Sequence, residues 1–203
     1  MEQPPNRMPS ERPSRINTLP NKLTLLRIAC TPLMVGLLFF SGKTSSFLAA
    51  LLFGFASLTD FLDGFFARRR KMVTTFGKHF DPLADKLLVS ATLIMLIPLR
   101  RVPAWMVLVV IGRELAVTGL RGIASSEGVI LTPTEMSKMK TAFQIVAILG
   151  LLLHYEYFGI NFQLVGTFFM WIAVVVTLWS GIGYFRKFWY VLDREEIHIR
   201  LED

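Results

Sequence analysis

Long apolar stretches alternate with short polar ones along most of the chain. Most of the stretches approach the roughly 20 apolar residues that a helix needs to cross a bilayer. Gly, Pro, Ser and Thr punctuate the connections, as is typical of loops. The pattern predicts six helical membrane spans: Leu23–Phe40, Ser46–Ala67, Pro82–Leu99, Pro103–Ile123, Met139–Tyr155 and Phe162–Phe185.

The N-terminal part of the chain differs from the rest. Residues 1–17 are rich in proline and arginine and have no apolar core, which favours a disordered cytosolic tail over a secretory signal. From Thr18 to Arg27, four leucines are mixed with Lys22 and Arg27, and this mixture predicts a short juxtamembrane helix at the interface. Because no repeat or composition change follows, residues 18–203 are predicted to form one domain.

Composition supports a membrane protein. The chain is 53% hydrophobic and 18% charged, with a mean hydropathy of +0.50, whereas soluble chains are about a quarter charged. Such a composition also excludes a disordered chain. The single cysteine, Cys30, cannot form an intrachain disulfide, and the three histidines lack zinc-site spacing. The expected fold class is therefore an all-α integral membrane protein.

The net charge of +7 has an explanation in the loops. Basic residues accumulate on cytoplasmic loops, and one side of the predicted bundle carries only Lys43, Arg100 and Arg101. Both termini are therefore predicted to lie in the cytoplasm, which agrees with an even number of spans. The basic charge then needs no nucleic-acid partner. A bacterial inner membrane is the expected location, with an organellar membrane as the alternative.

Four aspartates interrupt the apolar pattern around the second and third segments. Asp60 and Asp63 are three residues apart and project from one helix face, and Asp81 and Asp85, four apart, do the same. A loop containing Gly77 makes the two segments antiparallel neighbours, so that the carboxylates can converge. Unpaired carboxylates in a low dielectric repel one another. Divalent cations such as Mg²⁺ would remove that conflict, and two ions can clamp an in-line displacement at phosphorus.

Simpler roles are open for some of these residues. Asp81 before Pro82 matches a helix N-cap followed by proline. Asp85 could pair with Lys86, and the basic run 68–71 could be ordinary cytoplasmic loop charge. None of these roles explains the two acids at the end of the second apolar segment.

The aspartates also carry a family resemblance. The chain resembles the CDP-alcohol phosphatidyltransferases, whose signature is Asp-x2-Asp-Gly-x2-Ala-Arg-x8-Gly-x3-Asp-x3-Asp. All eight fixed positions are present without a gap, at Asp60, Asp63, Gly64, Ala67, Arg68, Gly77, Asp81 and Asp85. The resemblance covers nearly the whole chain after the tail. It implies a six-helix membrane fold, and a reaction in which an alcohol attacks the lipid-linked phosphorus of a CDP-lipid and CMP leaves.

The same resemblance implies roles for individual residues. Asp60, Asp63 and Asp81, with Asp85 nearby, would bind two Mg²⁺ or Mn²⁺ ions. Asp85 is the candidate catalytic base for the acceptor hydroxyl, although it could act mainly by orienting that group. Contacts with the CDP-lipid are expected from Gly64, Ala67, Arg68, Gly77, Thr24 and Arg27.

Three further motifs concern the acceptor. Residues 20–24 with Arg27, residues 111–114 and residues 137–141 resemble the bacterial phosphatidylglycerophosphate synthases, the branch of the family that uses sn-glycerol 3-phosphate. This acceptor is a dianion, so its pocket needs fixed cations. The candidates are Arg113, Arg121, Lys138 and Lys140. A buried ion pair between Arg113 and Glu114, and ordinary loop charge at the two lysines, are the simpler alternatives.

Rival functions come from the same residues. Within the family, the acceptor could be phosphatidylglycerol, as in a cardiolipin synthase. Intramembrane acids and bases also mark proton-coupled transporters. A further rival is a membrane scaffold in which the charges only hold the helices together. The complete signature favours the enzyme, with CDP-diacylglycerol, glycerol 3-phosphate and membrane lipids as partners. The family resemblance also implies a homodimer.

Overall fold

The computed structural model describes residues 19–40, 42–70, 75–126 and 135–202. Within these ranges, only the backbone is described for a subset of residues: 19–24, 60–70, 75–82, 85, 135–138, 187, 188 and 190–202. The predicted N-terminal tail lies outside the described residues.

The described chain is mostly helical. Its helices are α1 (Leu19–Phe39), α2 (Lys43–Arg70), α3 (Thr75–Leu96), α4 (Ala104–Ser126), α5 (Glu135–Leu153) and α6 (Phe162–Glu202). A small antiparallel hairpin of β1 (Glu156–Tyr157) and β2 (Ile160–Asn161) joins α5 to α6. Each of the six predicted segments corresponds to one helix, so the predicted number and order of helices agree with the described structure.

Several predicted boundaries were wrong. Helix α1 is continuous from Leu19, so the short N-terminal helix is not a separate element. Helix α3 begins at Thr75, which places Gly77 in its first turn rather than in a loop. Asp81 and Pro82 lie inside α3, so Asp81 is not an N-cap. The apolar pattern begins later than the helix because it reports burial and not backbone hydrogen bonding.

One described helix is long and apolar enough to cross a membrane, the 25-residue stretch Phe162–Arg186 of α6. Shorter apolar helical stretches lie in α1, α2, α3 and α5, at Leu25–Phe39, Lys43–Thr59, Lys86–Leu96 and Met139–Leu153. The six spans and the orientation of the termini therefore stay predictions.

Apolar side chains fill the inside of the bundle and also cover much of its outside. Phe53, Met34 and Ile148 are fully buried in the core. On the outside, Leu108 and Trp179 are 72% and 70% exposed, and many other large apolar residues are exposed with them. Extensive apolar surface of this kind is typical of proteins that contact a membrane or a partner.

Helices α5 and α6 pack backbone to backbone at Gly150 and Gly166. A Cβ atom added to Gly150 would lie 2.7 Å from the backbone N and Cα of Gly166. Small residues permit such close approach between helices in membrane proteins. Helix α6 also contacts α4, and α5 contacts α2. Helix α6 therefore lies against both α4 and α5, whose charged side chains are described below.

Arg101 connects three elements at one end of the bundle. Its buried guanidinium donates to Ser46 Oγ at 2.7 Å and to the Leu152 carbonyl at 2.9 Å, while Gln163 Nε2 donates to the Arg101 carbonyl at 2.9 Å. Burial lowers the pKa of Arg101 from its usual value, and Tyr155 partly opposes that shift. The Arg101 cation lies at the C-terminus of α5, where the helix dipole favours positive charge. Arg101 thus ties α5 to the starts of α2 and α6.

Candidate functional site

Charged side chains from α4 and α5 meet inside the bundle. Lys140 on α5 is only 2% exposed and forms an ion pair with Glu114 on α4. The same oxygen, Glu114 Oε2, lies 3.5 Å from Arg113 Nη1. Buried charges are found where they are paired. These three residues, called the α4–α5 charge cluster below, carry two positive charges and one negative charge.

The structure bears on the simpler alternatives for two of these residues. Lys140 is buried within α5, so its interpretation as ordinary loop charge was wrong. The predicted Arg113–Glu114 pair is present, but Arg113 also donates from Nη2 to Ser180 Oγ of α6 at 2.8 Å. The side chain of Lys138 lies outside the described residues.

A tyrosine on α6 contacts both arginines of α4. The Arg113 and Arg121 Cζ atoms lie 5.6 Å and 5.7 Å from the ring centroid of Tyr184, which is 2% exposed. Arg121 Nη2 also donates to Tyr184 Oη at 3.2 Å. Sequence reasoning missed Ser180 and Tyr184. The available signal was a serine and a tyrosine four residues apart in an apolar segment, a spacing that shares one helix face.

Lys86 brings α3 to the same region. Its ammonium donates to Thr118 Oγ1, and that hydroxyl donates to the Glu114 carbonyl at 2.7 Å. The proposed Asp85–Lys86 pair involves a side chain outside the described residues. Lys86 therefore contacts α4 one turn beyond the α4–α5 charge cluster.

A cavity of about 230 Å³ opens between helices α1 to α5. Its charged lining consists of Arg27, Lys86 and Glu114, and Arg27 is 3% exposed. Hydroxyl and amide side chains contribute further polar lining, including Ser57, Ser90 and Gln144. A mixed polar and apolar cavity inside a helical bundle is a common form of small-molecule site.

The cavity borders the parts of the chain that carry the aspartate signature. Ser57 precedes Asp60 by one helical turn, and Lys86 directly follows Asp85. The structure places Asp60, Asp63, Gly64, Ala67 and Arg68 on α2 and Gly77, Asp81 and Asp85 on α3. The signature side chains, like Thr24, lie outside the described part. Their roles therefore stay predictions, whereas the cation Arg27 is seen at the cavity.

Metal ligands were expected only among those signature aspartates. Within the side chains that the structure describes, no group of three or more His, Cys, Asp or Glu residues lies together. Carboxylate oxygens are the ligands that Mg²⁺ and Mn²⁺ prefer, so the chemistry of the signature's donor set fits a divalent cation.

A family model for the CDP-alcohol phosphatidyltransferases matches residues 17–179 of the chain. The protein belongs to the CDP-alcohol phosphatidyltransferase family, whose members are generally dependent on divalent metal ions. The resemblance carried by the aspartate signature is thereby confirmed.

Relatives of known name cover most of the chain. A protein of Bacillus subtilis (strain 168) is 44% identical over 190 residues, which span 86% of this chain and 96% of the relative. One of Rickettsia typhi is 39% identical over 172 residues, spanning 84% of this chain and 97% of the relative. Both are named CDP-diacylglycerol–glycerol-3-phosphate 3-phosphatidyltransferase.

A relative with another name is also similar. A protein of Oryza sativa subsp. japonica, named cardiolipin synthase (CMP-forming), is 32% identical over 201 residues, spanning 91% of this chain and 61% of that relative. Both acceptor hypotheses from the sequence therefore have counterparts among the relatives.

Proposed function

We propose that the protein transfers the phosphatidyl group of CDP-diacylglycerol to sn-glycerol 3-phosphate, giving phosphatidylglycerophosphate and CMP. The observation that carries this proposal is the α4–α5 charge cluster, which places buried cations next to a cavity. The names of the bacterial relatives support the same acceptor.

The charge balance of the site suits a dianionic acceptor. Glu114 offsets one positive charge, and the surplus from Arg113 and Lys140 stays available for the phosphate of glycerol 3-phosphate. Arg121 adds a guanidinium on the same helix, and Lys138 is a further candidate. Guanidinium groups bind phosphate oxygens through paired, charge-assisted hydrogen bonds.

The size of the cavity also favours a small acceptor. Its volume of about 230 Å³ is below the roughly 300–1,000 Å³ of sites for drug-sized ligands. The lining hydroxyls and amide can hydrogen-bond the hydroxyl groups of glycerol 3-phosphate. The acyl chains of the CDP-lipid would then lie outside the cavity, between helices and open to the bilayer.

In the proposed reaction, the C1 oxygen of glycerol 3-phosphate bonds to the phosphorus that carries diacylglycerol. The bond from that phosphorus to CMP breaks, and Asp85 receives or orients the acceptor proton. Asp60, Asp63 and Asp81, with Asp85, would hold two Mg²⁺ or Mn²⁺ ions, which when bound neutralise diphosphate charge. The proposed residues for CDP-lipid binding are Gly64, Ala67, Arg68, Gly77, Thr24 and Arg27.

The proposed setting is a bacterial inner membrane. Residues 18–203 would form six spans with both termini in the cytoplasm, and a homodimer is the proposed assembly. The apolar exterior and the long apolar helix α6 support a membrane location. The site would open at the cytoplasmic ends of α2 and α3, where water-soluble CMP can leave.

Phosphatidylglycerol is the second candidate acceptor, because a relative named cardiolipin synthase shares 32% identity with the chain. The decisive experiment measures CMP release by the purified protein in detergent with CDP-diacylglycerol and Mg²⁺. Parallel reactions contain glycerol 3-phosphate, phosphatidylglycerol or no acceptor, each with and without a chelator.

Metal-dependent CMP release only with glycerol 3-phosphate is the expected result. Release with phosphatidylglycerol alone would replace the acceptor and make the protein a cardiolipin synthase. Protein that releases no CMP with any acceptor would contradict the proposal and favour a non-enzymatic role, such as a transporter.

A further inference from the structure

We propose that Tyr184, together with Ser180 and Gly181, positions Arg113 and Arg121 for the phosphate of the acceptor. This inference rests on the proposed function and extends it to α6, a helix that lies outside the aspartate signature. All three are assigned as positioning residues, because they act through the arginines.

The Tyr184 ring holds two like charges in one place. Both guanidinium carbons lie within 6 Å of the ring centroid, at 5.6 Å and 5.7 Å, a distance at which cations are attracted to an aromatic ring. Tyr184 Oη also accepts a hydrogen bond from Arg121. Since Tyr184 is 2% exposed, its ring is held by packing and provides a rigid support.

A tyrosine has an advantage over a carboxylate at this position. An aspartate or glutamate would hold the arginines more strongly but would neutralise the positive charge that a phosphate needs. The uncharged ring orients the guanidinium groups and leaves their charge intact. This property is what a site for a dianion requires.

Ser180 and Gly181 complete the contact with Arg113. The Ser180 hydroxyl donates to the Thr177 carbonyl at 3.0 Å, so its oxygen is oriented to accept from Arg113 Nη2 at 2.8 Å. A Cβ atom added at Gly181 would lie 3.3 Å from Arg113 Cγ, closer than most such contacts. Gly181 therefore leaves room for the aliphatic part of Arg113 beside α6, while Ser180 holds one end of its guanidinium group.

Donors of Arg113 remain for a ligand. A guanidinium has five N–H groups, and the contacts to Ser180 and Glu114 use its two terminal nitrogens. Arg113 Nε has no hydrogen-bond partner among the described residues. The arrangement thus positions Arg113 without using all of its hydrogen-bonding capacity.

The test compares Tyr184→Leu and Tyr184→Phe with Phe185→Leu, an adjacent and 53% exposed aromatic that serves as the matched control. CMP release gives separate KM values for glycerol 3-phosphate and CDP-diacylglycerol. For Tyr184→Leu, we expect about a tenfold rise in the KM for glycerol 3-phosphate and less than a threefold change for the lipid, given the usual strength of cation–π contacts. Tyr184→Phe keeps the ring and should recover most of the loss, and Phe185→Leu should match the wild type.

A second readout does not depend on turnover. Glycerol 3-phosphate added to the full-length protein in detergent should raise the melting temperature of the wild type and of Phe185→Leu. The shift should be smaller in Tyr184→Leu and also in Ser180→Ala, which keeps the helix and removes one Arg113 partner. If Tyr184→Leu does not fold, Ser180→Ala supplies the test, with Tyr184→Phe and Phe185→Leu as the variants expected to stay close to the wild type.

KM values for glycerol 3-phosphate in folded Tyr184→Leu and Ser180→Ala that equal the wild-type value would overturn the inference, as would parallel KM rises for both substrates. Failure of the proposed function looks different. In that case the wild type itself would show neither CMP release with glycerol 3-phosphate nor a melting-temperature shift.

Discussion

Lys140 on α5 forms an ion pair with Glu114 on α4, although 26 positions separate the two residues in the chain. The contact places an almost completely buried ammonium beside the carboxylate that lines the cavity. Removing one partner of such a pair leaves an uncompensated charge, which costs more than the intact pair contributes. The pair therefore connects the stability of the bundle to the charge of the candidate site.

Substituting Glu114→Gln should leave Lys140 without its counter-charge. We expect a loss of about 1–3 kcal/mol in the free energy of unfolding, since Glu114 is partly exposed. Thermal unfolding in detergent measures the change. The double variant Glu114→Gln/Lys140→Met should regain part of the stability but, because it lacks the Lys140 cation, should bind glycerol 3-phosphate more weakly than the wild type. Wild-type binding by the double variant would assign the pair a purely structural role.

Substituting Arg113→Lys keeps the charge and removes the planar fork that contacts both Ser180 and Glu114. The KM for glycerol 3-phosphate should rise about tenfold, as expected for the loss of one charge-assisted hydrogen bond, while the KM for CDP-diacylglycerol changes little. Initial rates of CMP release at varied concentrations of each substrate give both values. Equal effects on the two substrates would favour a helix-orienting ion pair over acceptor binding.

Substituting Asp63→Asn tests the proposed metal site. Loss of one anionic ligand should lower turnover by more than about a hundredfold, since removal of a strong charge-stabilising group has effects of that size. The helix content should be unchanged by circular dichroism. Activity close to that of the wild type would remove Asp63 from the proposed ligand set.

Substituting Asp85→Asn separates chemistry from substrate binding. If Asp85 receives or orients the acceptor proton, turnover should fall by about 10²- to 10⁴-fold, and the protein should still bind CDP-diacylglycerol. Binding is measured with labelled lipid in detergent. A folded variant that no longer binds the CDP-lipid would make Asp85 primarily a ligand of the metal–substrate complex.

Substituting Gly150→Ala tests the crossing of α5 and α6. The added Cβ would lie 2.7 Å from the Gly166 backbone, which cannot move away without separating the helices. We expect a destabilisation of about 1–3 kcal/mol, the usual range for overpacking. Gly36→Ala is the control, since nothing lies within 4 Å of its added Cβ and alanine favours a helix. Equal melting temperatures for the two variants would contradict the close contact.

Much of the helical fold was predictable from the sequence. Apolar length and loop punctuation located one segment for every described helix. The start of α3 and the continuation of α6 to Glu202 were missed because charged residues at short intervals interrupt the apolar run in both extensions. The β1–β2 hairpin was also missed, since strands of two residues are too short to show an alternating pattern. Its turn residues Phe158 and Gly159 have positive φ angles.

The sequence by itself determined the order of the helices, the family signature and the presence of Arg113 within an apolar segment, because periodicity, spacing and residue chemistry are local properties of the chain. It did not show which groups the cations of the site contact. The pairing of Lys140 with Glu114 and the sharing of Tyr184 by two arginines depend on how α4, α5 and α6 pack. Only the tertiary structure decided these contacts, since helix packing brings together side chains that no local pattern relates.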